Sequence, residues 1–385
     1  MPRTLRAGLV GLGKIGRTHA AILGSLPGSS LVAVCDSRLE HAARFGAEFD
    51  ARGYDDLDEM LEREHLDVLS VCTPHPAHVA AVVAAAQRGV HVIVEKPLAP
   101  NLAGCDLAIA ACENNGVKLG VISQRRFYPP VVRLRDAILA GKIGSPVLAE
   151  LVVLGWRDQA YYESDPWRGT WDLEGGGVLM NQCPHQIDLL QWLMGPIEEL
   201  FGYWDNLNHP YIAVEDTALA VIKFKSGALA SLLLSNSQKP GLYGRLHIHG
   251  SNGSSIGAQT ESASPFIAGV SSGIEPPIND LWTVPGEEHL LSIWQAEDRG
   301  STEGRDVMSY YHEVQIRDFL DAVARDRPPV VDGREGRKVV EVITAVYRSQ
   351  RDRRPITFPL QPESDRADFD GRLSYVPLSH RMVLP

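Results

Sequence analysis

The sequence feature that most constrains the fold is a glycine motif between an apolar run and a helical pattern. Gly11, Gly13 and Gly16 form a G-x-G-x-x-G pattern that follows the apolar residues 5–10 and opens the helical pattern of residues 15–23. In this position the first glycine permits a tight turn, the second lets a pyrophosphate approach the backbone, and the third lets the helix pack closely on the strand. The N–H groups of the helix N-terminus also attract phosphate. The motif therefore predicts a strand–turn–helix unit that binds a dinucleotide.

Apolar strand-like runs and helical patterns alternate through the first 124 residues. The strand patterns cover residues 5–10, 31–35, 68–72, 91–94 and 118–122, and the helical patterns cover residues 15–23, 39–49, 57–64, 78–88 and 102–114. Repeated strand–helix–strand units build a parallel sheet with helices on both faces, and the lack of polar alternation within the strands agrees with such burial. We therefore predict an α/β Rossmann domain over residues 1–124.

The pattern changes after Gln124. Alternating apolar and polar residues, typical of strands with one buried face, occupy residues 147–154, 216–224, 228–234 and 246–250, and helical patterns occupy residues 130–140, 310–325 and 334–351. These features predict an α+β domain over residues 125–360 with a large, mostly antiparallel open sheet. Residues 253–304, rich in Gly, Ser, Pro and Glu, are expected to form an irregular insertion, and residues 361–385 a C-terminal tail.

The residues around the glycine motif predict which dinucleotide binds. Asp36 ends the second predicted strand, 20 positions after Gly16. A carboxylate there accepts hydrogen bonds from the ribose hydroxyls and repels a 2′-phosphate, which favours NAD over NADP. Arg38 keeps NADP open, because its guanidinium can meet a 2′-phosphate. Further cofactor contacts are expected from the neighbouring residues Lys14, Ile15 and Ser37.

Composition excludes several classes of function. The formal net charge is −11, and the arginine-dense stretch at residues 348–354 is short and expected to be a solvent-exposed face, which argues against nucleic-acid binding. No run approaches the ~20 apolar residues of a membrane helix, and no secretory signal pattern is present, so we expect a cytoplasmic protein. The five cysteines show no Cys-x-x-Cys spacing and are expected to be reduced. No metal is expected, because the pairs His75 with His78 and Cys183 with His185 lack further ligands.

Several stretches together resemble the Gfo/Idh/MocA family of glucose–fructose oxidoreductases, inositol dehydrogenases and related sugar dehydrogenases. The resemblance extends to about Leu360 and is carried by His19, the segment Thr73-Pro74-His75-Pro76-Ala77-His78, the signature Glu95-Lys96-Pro97, the segment Gln124-Arg125-Arg126-Phe127 and the glycine-led segment of residues 175–188. It implies an NAD-dependent enzyme. It also implies cofactor contacts from Thr73, Pro74, His75, His78, Glu95, Lys96 and Gln124.

The resemblance further implies that Lys96 and His185 are catalytic. In such enzymes the peptide bond before Pro97 is commonly cis, which would aim the lysine into the cleft. Asn181, His185 and Asp188 are spaced i, i+4 and i+7, which predicts that they share one face of a helix. Asn181 and Asp188 are therefore expected to bind or support the substrate.

The sequence departs from the family pattern at Asn181, where related inositol dehydrogenases usually carry Asp. An amide can orient the imidazole or a substrate hydroxyl, but it does not stabilise an imidazolium as a carboxylate does. This departure weakens an inositol assignment. Some sugar and nucleotide-sugar 3-dehydrogenases of the family carry Asn at this position.

Further substrate contacts are expected from aromatic and basic residues at the start of the second domain. Aromatic faces stack on sugar rings, while arginine binds hydroxyls, carboxylates or phosphates. The expected residues are the pairs Trp156-Arg157, Tyr161-Tyr162 and Trp167-Arg168.

The predicted reaction is hydride transfer between C4 of nicotinamide and a carbinol carbon of a sugar, glycoside or cyclitol, possibly C3 of a pyranose. His185 would act as general base and Lys96 would donate to the same oxygen, or the two roles are exchanged. Two alternatives stay open: a non-catalytic dinucleotide-sensing regulator, and a family member that cleaves glycosides through transient oxidation or reduces a keto sugar. The open sheet face predicts a homodimer or homotetramer.

Overall fold

The computed structural model describes residues 4–239, 244–260 and 277–363, and the chain folds as two compact units. The first unit comprises residues 1–124 and 309–340, and the second comprises residues 125–308 and 341–385. The expected C-terminal tail lies outside the described residues from position 364 onward. No helix of the described residues is long and apolar enough to cross a membrane.

The first unit contains a six-stranded parallel sheet with the strand order β3-β2-β1-β4-β5-β6. Its strands are β1 (Leu5–Val10), β2 (Ser29–Cys35), β3 (Arg52–Tyr54), β4 (Val68–Val71), β5 (His91–Val94) and β6 (Leu119–Val121). Its helices in the first 124 residues are α1 (Lys14–Ser25), α2 (Leu39–Glu48), α3 (Leu57–Glu64), α4 (His78–Gln87) and α5 (Leu102–Asn114). The strand order reverses between β1 and β4, and ligands of such sheets bind outside the carboxyl ends of the strands at that point. The predicted Rossmann fold is confirmed.

A helix from much later in the chain completes the first unit. Helix α10 (Val307–Ala324) buries Ile316, Phe319 and Leu320 in the same apolar core as β1 and α1. At Gly120 in β6, a Cβ atom would lie 2.6 Å from the Phe319 ring, so glycine makes room for that ring. The sequence analysis placed this helix in the second domain, which was wrong because a helical pattern does not show which sheet its apolar face covers.

The second unit contains an eight-stranded sheet with the strand order β13-β12-β11-β7-β10-β9-β8-β14. Its strands are β7 (Pro146–Leu154), β8 (Ile197–Asp205), β9 (Thr217–Phe224), β10 (Leu229–Ser235), β11 (Arg245–Gly250), β12 (Ser255–Gln259), β13 (Ile278–Trp282) and β14 (Ile356–Thr357). Among the strands of the described residues, only β7 and β10 pair in parallel, so the prediction of a mostly antiparallel sheet is confirmed. The helices are α6 (Pro129–Leu139), α7 (Gln159–Glu163), α8 (Pro184–Met194) and α9 (Leu290–Ser301), while α11 (Gly333–Asp352) contributes residues to both units.

The expected irregular insertion at residues 253–304 is mostly regular structure where it is described. It contains β12, β13 and α9, and residues 261–276 lie outside the described residues. Ile256 and Ala258 are buried on one side of β12, and Ile278 and Trp282 are buried in β13. The Gly- and Ser-rich composition hid these short strands, because their stability comes from sheet pairing and burial rather than from local propensity.

Candidate active site

The glycine turn of the first unit has the geometry that a bound pyrophosphate requires. Gly11 adopts a φ of 90°, and a Cβ atom there would lie 2.5 Å from the carbonyl carbon of Cys72. A Cβ atom on Gly16 would lie 2.1 Å from the Gly11 carbonyl oxygen, so this glycine lets α1 pack on the turn. Gly13 instead faces open space, with nothing within 4 Å of its Cβ position. The turn is tight at Gly11 and Gly16 and open at Gly13, where a phosphate can approach the N-terminus of α1.

Asp36 follows β2 and holds a half-buried carboxylate. Its Oδ1 accepts from the backbone N–H of Arg38 at 3.2 Å, and its Oδ2 lies 3.2 Å from Nδ1 of His41. Burial alone would raise the pKa of Asp36, but these two contacts bring it below its ordinary value. The Arg38 guanidinium is turned back onto the same carboxylate, with Nε 3.4 Å from Oδ1. The carboxylate is therefore ionised at neutral pH and suits ribose hydroxyls better than a phosphate.

We expect Asp36→Ala to weaken NAD binding roughly tenfold to a hundredfold and to narrow the preference for NAD over NADP. The reason is that hydrogen bonds to a charged group contribute about 1.5–3 kcal/mol, and the substitution also frees Arg38. The measurement is the Kd of both dinucleotides by fluorescence titration. Glu40→Ala, which removes an exposed acid of α2, is the matched control. An unchanged ratio of the two Kd values would contradict a selective role for Asp36.

Two buried polar atoms in the first unit are suited to hydrogen-bond the part of a dinucleotide beyond its pyrophosphate and adenosine ribose. Within the described residues, Oγ1 of Thr73 and Oε1 of Gln124 are buried and have no hydrogen-bond partner. A buried unsatisfied polar atom costs free energy unless a ligand or water supplies the partner. Together with the open Gly13 and the ionised Asp36, these atoms fit NAD.

His78, expected to contact the cofactor, has a structural position instead. Its side chain is fully buried, with Nδ1 2.8 Å from the Pro97 carbonyl oxygen and Nε2 2.9 Å from the Thr73 carbonyl oxygen. Both ring nitrogens are therefore engaged by backbone. His78 joins the Thr73 segment to the Lys96-Pro97 segment, whose peptide bond is cis as the resemblance implied.

Glu95 was also expected to contact the cofactor, but its carboxylate lies in a buried cluster. Oε1 is 3.0 Å from Nε2 of His19 and 3.4 Å from Nε2 of His312, and Oε2 accepts from the backbone N–H of Lys96 at 3.2 Å. Burial would raise the pKa of Glu95, but the contacts with the two histidines hold it well below its usual value. The side chain of Lys96 is half-buried next to this cluster.

In the second unit, Asn181 and His185 do not lie on one continuous helix. Residues 178–182 form a π-helical turn, and α8 begins only at Pro184. The predicted i, i+4, i+7 face was wrong for Asn181, because the wide turn and the break at Cys183 change the angular spacing. His185 and Asp188 do share α8, and both are buried.

A buried glutamate, Glu215, holds the π-helical turn in place. Its carboxylate accepts from the backbone N–H groups of Gly177 (2.8 Å) and Leu179 (3.0 Å) and from the Tyr347 hydroxyl (3.0 Å). A Cβ atom on Gly177 would lie 1.8 Å from the Glu215 carbonyl oxygen, so only glycine fits there. Despite the three donors, burial raises the pKa of Glu215 to about 7.

The raised pKa of Glu215 makes the stability of the protein depend on pH. Because the folded state binds this proton more tightly than the unfolded state, the stabilisation is present below an ordinary pKa of 4.5 and is lost as the pH rises to about 7. In that window we expect Glu215 to lower the free energy of unfolding by on the order of 3 kcal/mol. Glu215→Gln should remove this part of the slope in urea unfolding at pH 5 and pH 8. Glu198→Gln, which changes a half-exposed carboxylate of β8, should keep it. Equal slopes in both variants would contradict the assignment.

Asn181 belongs to a polar cluster around Tyr161. The Tyr161 hydroxyl accepts from Nη1 of Arg168 (2.6 Å), Nδ2 of Asn181 (3.3 Å) and Nε2 of Gln182 (3.2 Å). Nδ2 of Asn181 also donates to Oε1 of Glu174, a fully buried residue whose Oε2 accepts from the Gly169 backbone. Related inositol dehydrogenases usually carry Asp at the position of Asn181; here the carboxylate of Glu174 lies next to the Asn181 amide.

The predicted substrate-binding residues fall into two groups. Arg157 and Arg168 lie over the Tyr161 ring, with guanidinium carbons 4.7 and 4.4 Å from its centroid, and Arg168 also lies over Trp167 at 4.4 Å. Tyr162, by contrast, is buried and its hydroxyl accepts from Asn236 at 2.7 Å. Of the predicted pair, Tyr161 belongs to the polar cluster whereas Tyr162 is buried beside Asn236, because adjacent residues of the short helix α7 point in different directions.

Asp188, expected to bind or support the substrate, forms a buried ion pair. Its two carboxylate oxygens accept from Nε (2.7 Å) and Nη2 (2.5 Å) of Arg126, and both side chains are only 3% exposed. The Arg126 guanidinium also lies over the Trp192 ring at 5.1 Å. Asp188 therefore anchors α8, the helix that carries His185, and direct substrate binding by Asp188 stays a prediction.

Three residues that hold these sites together were not predicted from the sequence. They are Glu174, Glu215 and His312. Glu174 alone had a local signal, since it directly precedes the glycine run. His312 and Glu215 meet their partners only through long-range folding, which no spacing argument reveals.

Comparison with known proteins agrees with both units. A family model described as the NAD-binding Rossmann fold of an oxidoreductase family matches residues 5–123, and one described as the C-terminal alpha/beta domain of that family matches residues 135–358. Both models carry the name GFO_IDH_MocA.

Individual relatives align over almost the whole chain. The myo-inositol 2-dehydrogenase of Thermotoga maritima is 27% identical over 366 residues, covering 91% of this chain and 98% of that protein. The D-apiose dehydrogenase of Paraburkholderia graminis is 26% identical over 380 residues, covering 92% and 90%. The crystal structure of the WlbA dehydrogenase from Bordetella pertussis, in complex with NADH and UDP-GlcNAcA, has a TM-score of 0.77 and 30% identity, covering 93% of this chain and all of that one. The chain therefore belongs to the Gfo/Idh/MocA family of oxidoreductases.

Proposed function

We propose that this protein is an NAD-dependent dehydrogenase that oxidises a secondary hydroxyl of a sugar, glycoside or cyclitol, or reduces the corresponding ketone. The observation that carries the proposal is the combination of a glycine turn open at Gly13 with a half-buried lysine, Lys96, after β5. Family membership and the named dehydrogenases among the relatives support it.

The first unit offers the groups that would hold NAD. Gly13 and the N-terminus of α1 would take the pyrophosphate, Asp36 the adenosine ribose, and Thr73 and Gln124 would supply partners near the other end. When bound, NAD accepts the hydride that leaves the carbinol carbon.

We propose that His185 removes the proton of the reacting hydroxyl and that Lys96 stabilises the charge that develops on its oxygen. An imidazole nitrogen of His185 takes this proton as the C–H bond breaks, and the electron pair of the O–H bond becomes part of the carbonyl group. The Nζ atom of Lys96 donates a hydrogen bond to the same oxygen and stabilises its developing charge. Asn181 orients a substrate hydroxyl, with Glu174 fixing its amide.

The arginines beside Tyr161 favour a substrate that carries an anionic group. Burial lowers the pKa of Arg157, and the nearby Arg168 adds to this effect, so a carboxylate or phosphate between them would be stabilised. The related WlbA structure holds a nucleotide-linked sugar acid, UDP-GlcNAcA. Uronates and nucleotide-linked uronates therefore join the neutral sugars as candidate substrates.

The test is reduction of NAD, followed by absorbance, with a panel of pyranoses, glycosides, inositols, uronates and nucleotide sugars. Turnover with one class would establish the dehydrogenase and name that class. Binding of NAD without turnover of any member would favour the dinucleotide-sensing regulator. Cofactor that stays bound through purification, with glycoside cleavage, would favour the transient-oxidation alternative.

We also propose that a second copy of the chain covers the open face of the eight-stranded sheet in a cytoplasmic homodimer or homotetramer. Tyr203, Leu219, Val221 and Leu229 are 61, 48, 62 and 53% exposed there. Leu219 lies opposite Tyr203 on the neighbouring strand, and Val221 follows two residues along β9 on the same face. Exposed apolar patches of this kind commonly mark protein interfaces. The five buried cysteines suit a reducing compartment.

Val221→Glu should shift the protein from oligomer to monomer, because it places a charge in the middle of this apolar patch. The measurement is molar mass by light scattering coupled to size exclusion. Leu139→Glu, which changes an exposed leucine of α6 outside the sheet, should leave the mass unchanged. A monomeric wild-type protein, or an oligomeric Val221→Glu variant, would rule out this interface.

A further inference from the structure

The cluster of His19, Glu95 and His312 has no assigned purpose, yet it contacts the backbone of Lys96. His19 comes from α1, Glu95 follows β5, and His312 comes from α10. All three side chains are buried, with exposures of 0, 9 and 3%. Nδ1 of His19 lies 2.8 Å from the Ser70 hydroxyl, so the ring is held from both sides.

The contacts define which atoms carry protons. An ionised Glu95 has only acceptors, so Nε2 of both histidines donates to Oε1. Nδ1 of His19 is then the acceptor for the Ser70 hydroxyl. The second carboxylate oxygen accepts from the backbone N–H of Lys96. The two histidines therefore fix the position of the Glu95 carboxylate, and this carboxylate fixes the backbone N–H of Lys96.

The helix that carries His312 is itself fixed against the sheet edge. Oε1 of Gln315 accepts from the Ser123 backbone N–H, and its Nε2 donates to the Val121 carbonyl oxygen, each at 2.8 Å. Phe319, one turn further along, fills the space left by Gly120. His312 is therefore held precisely enough to position a neighbour.

The backbone of Lys96 is held on both sides. Glu95 accepts its N–H, while His78 binds the carbonyl oxygen of the next residue, Pro97. A lysine side chain is long and flexible, and its reach depends on where its backbone is fixed. We infer that His312 is a positioning residue for Lys96, acting through the Glu95 carboxylate; this inference rests on the proposed catalytic role of Lys96.

The same three side chains include residue types that bind metals, but their contacts are hydrogen bonds. Their ligand atoms lie within 4.8 Å of one another. However, Oε2 of Glu95 accepts from the Lys96 backbone and Nδ1 of His19 is bonded to the Ser70 hydroxyl, so hydrogen bonds account for the arrangement of these groups. A metal centre is therefore an outcome of the test and not the inference.

The experiment compares His312→Phe with His312→Gln in the full-length enzyme. Phenylalanine keeps the ring and removes the donor, while the glutamine amide can place a donor near the position of Nε2. We expect His312→Phe to lower kcat roughly tenfold to a hundredfold, as small misplacements of catalytic groups do, with the Kd for NADH within about twofold of wild type. His312→Gln should restore most of kcat. The surface control is His289→Phe, at an exposed histidine before α9.

A second readout does not depend on turnover. Reductive 13C-methylation labels the lysines, and the Lys96 signal is identified by its loss in Lys96→Arg. Its titration midpoint should shift in His312→Phe and in a second donor-free variant, His312→Leu, and should stay near wild type in His312→Gln. If the wild-type enzyme turns over no substrate, the proposed function fails while this signal still tests the inference.

A double-mutant cycle with Glu95→Gln tests whether His312 acts on Lys96 through the Glu95 carboxylate. Because both residues act through one network, the loss in His312→Phe/Glu95→Gln should be close to that of the more severe single variant. Multiplicative losses would overturn the inference. So would a folded His312→Phe with wild-type kcat and an unshifted Lys96 signal, or equal damage from His312→Gln. Activity lost to a chelator and restored by Zn²⁺ would replace it with a metal centre.

Discussion

Lys96→Met is expected to lower kcat by roughly 10²- to 10⁴-fold while the Kd for NADH changes little. Methionine keeps the length and apolar stem of the side chain but loses the amine that donates to the reacting oxygen, and losses of this size follow removal of a positioned donor or proton-transfer group. The measurement is steady-state turnover on the substrate found in the panel, with NADH binding by fluorescence.

The matched control for this substitution is Lys142→Met. Lys142 is 39% exposed and pairs with Glu287 at 2.6 Å, so the change removes an amine of the second unit outside the proposed site. Turnover should stay near wild type. A Lys96→Met enzyme with kcat within about threefold of wild type would remove Lys96 from the mechanism.

Asp188→Asn is expected to lower the free energy of unfolding by about 3–5 kcal/mol, the largest stability effect among the substitutions considered. The change leaves the Arg126 guanidinium buried with a neutral partner in place of a carboxylate, and breaking one side of a buried ion pair has costs of this size. Chemical unfolding and the Tm measure it. Glu198→Gln, which breaks a half-exposed pair with Lys223, should cost about 1 kcal/mol or less.

The double variant Arg126→Met/Asp188→Leu distinguishes a structural role of the ion pair from substrate binding by Asp188. Apolar replacements of a buried pair are often neutral or stabilising, so this variant should recover much of the lost stability. If Asp188→Asn instead unfolds like wild type and raises KM, Asp188 contacts substrate and the structural reading is wrong.

The sequence was most informative where local rules govern the structure. The glycine motif, Asp36 and the five predicted strands of the first unit occur where expected, because turns, helix starts and buried strands leave short-range signals. The short edge strand β3, with the sequence Arg-Gly-Tyr, was not predicted because it has no apolar run. Strand β8 was missed because Glu198, Glu199 and Gly202 interrupt its apolar alternation. Leu200 and Trp204 of this strand are buried, but their burial becomes evident only from the pairing of β8 in the sheet.

Side-chain partners across long stretches of chain were not predictable. The position of Asn181 was predicted by counting along a helix, but the π-helical turn at residues 178–182 depends on Glu215, which is 34 residues beyond Asn181 in sequence. Likewise, Glu95 looked like a cofactor contact because it belongs to the family signature. Its carboxylate instead meets His312, which reaches it only after the second unit has been traversed.

The return of the chain to the first unit has a consequence for folding during synthesis. In topological terms, residues 125–308 are an insertion within the nucleotide-binding unit, since residues 309–340 complete that unit. A nascent chain that has emerged as far as residue 124 still lacks the helix that covers Gly120 and supplies His312. The nucleotide-binding unit is complete once residue 340 has emerged, whereas the inserted segment still lacks the later residues of its own unit, which include the edge strand β14 of its sheet. An isolated nucleotide-binding module would accordingly require residues 1–124 linked directly to residues 309–340.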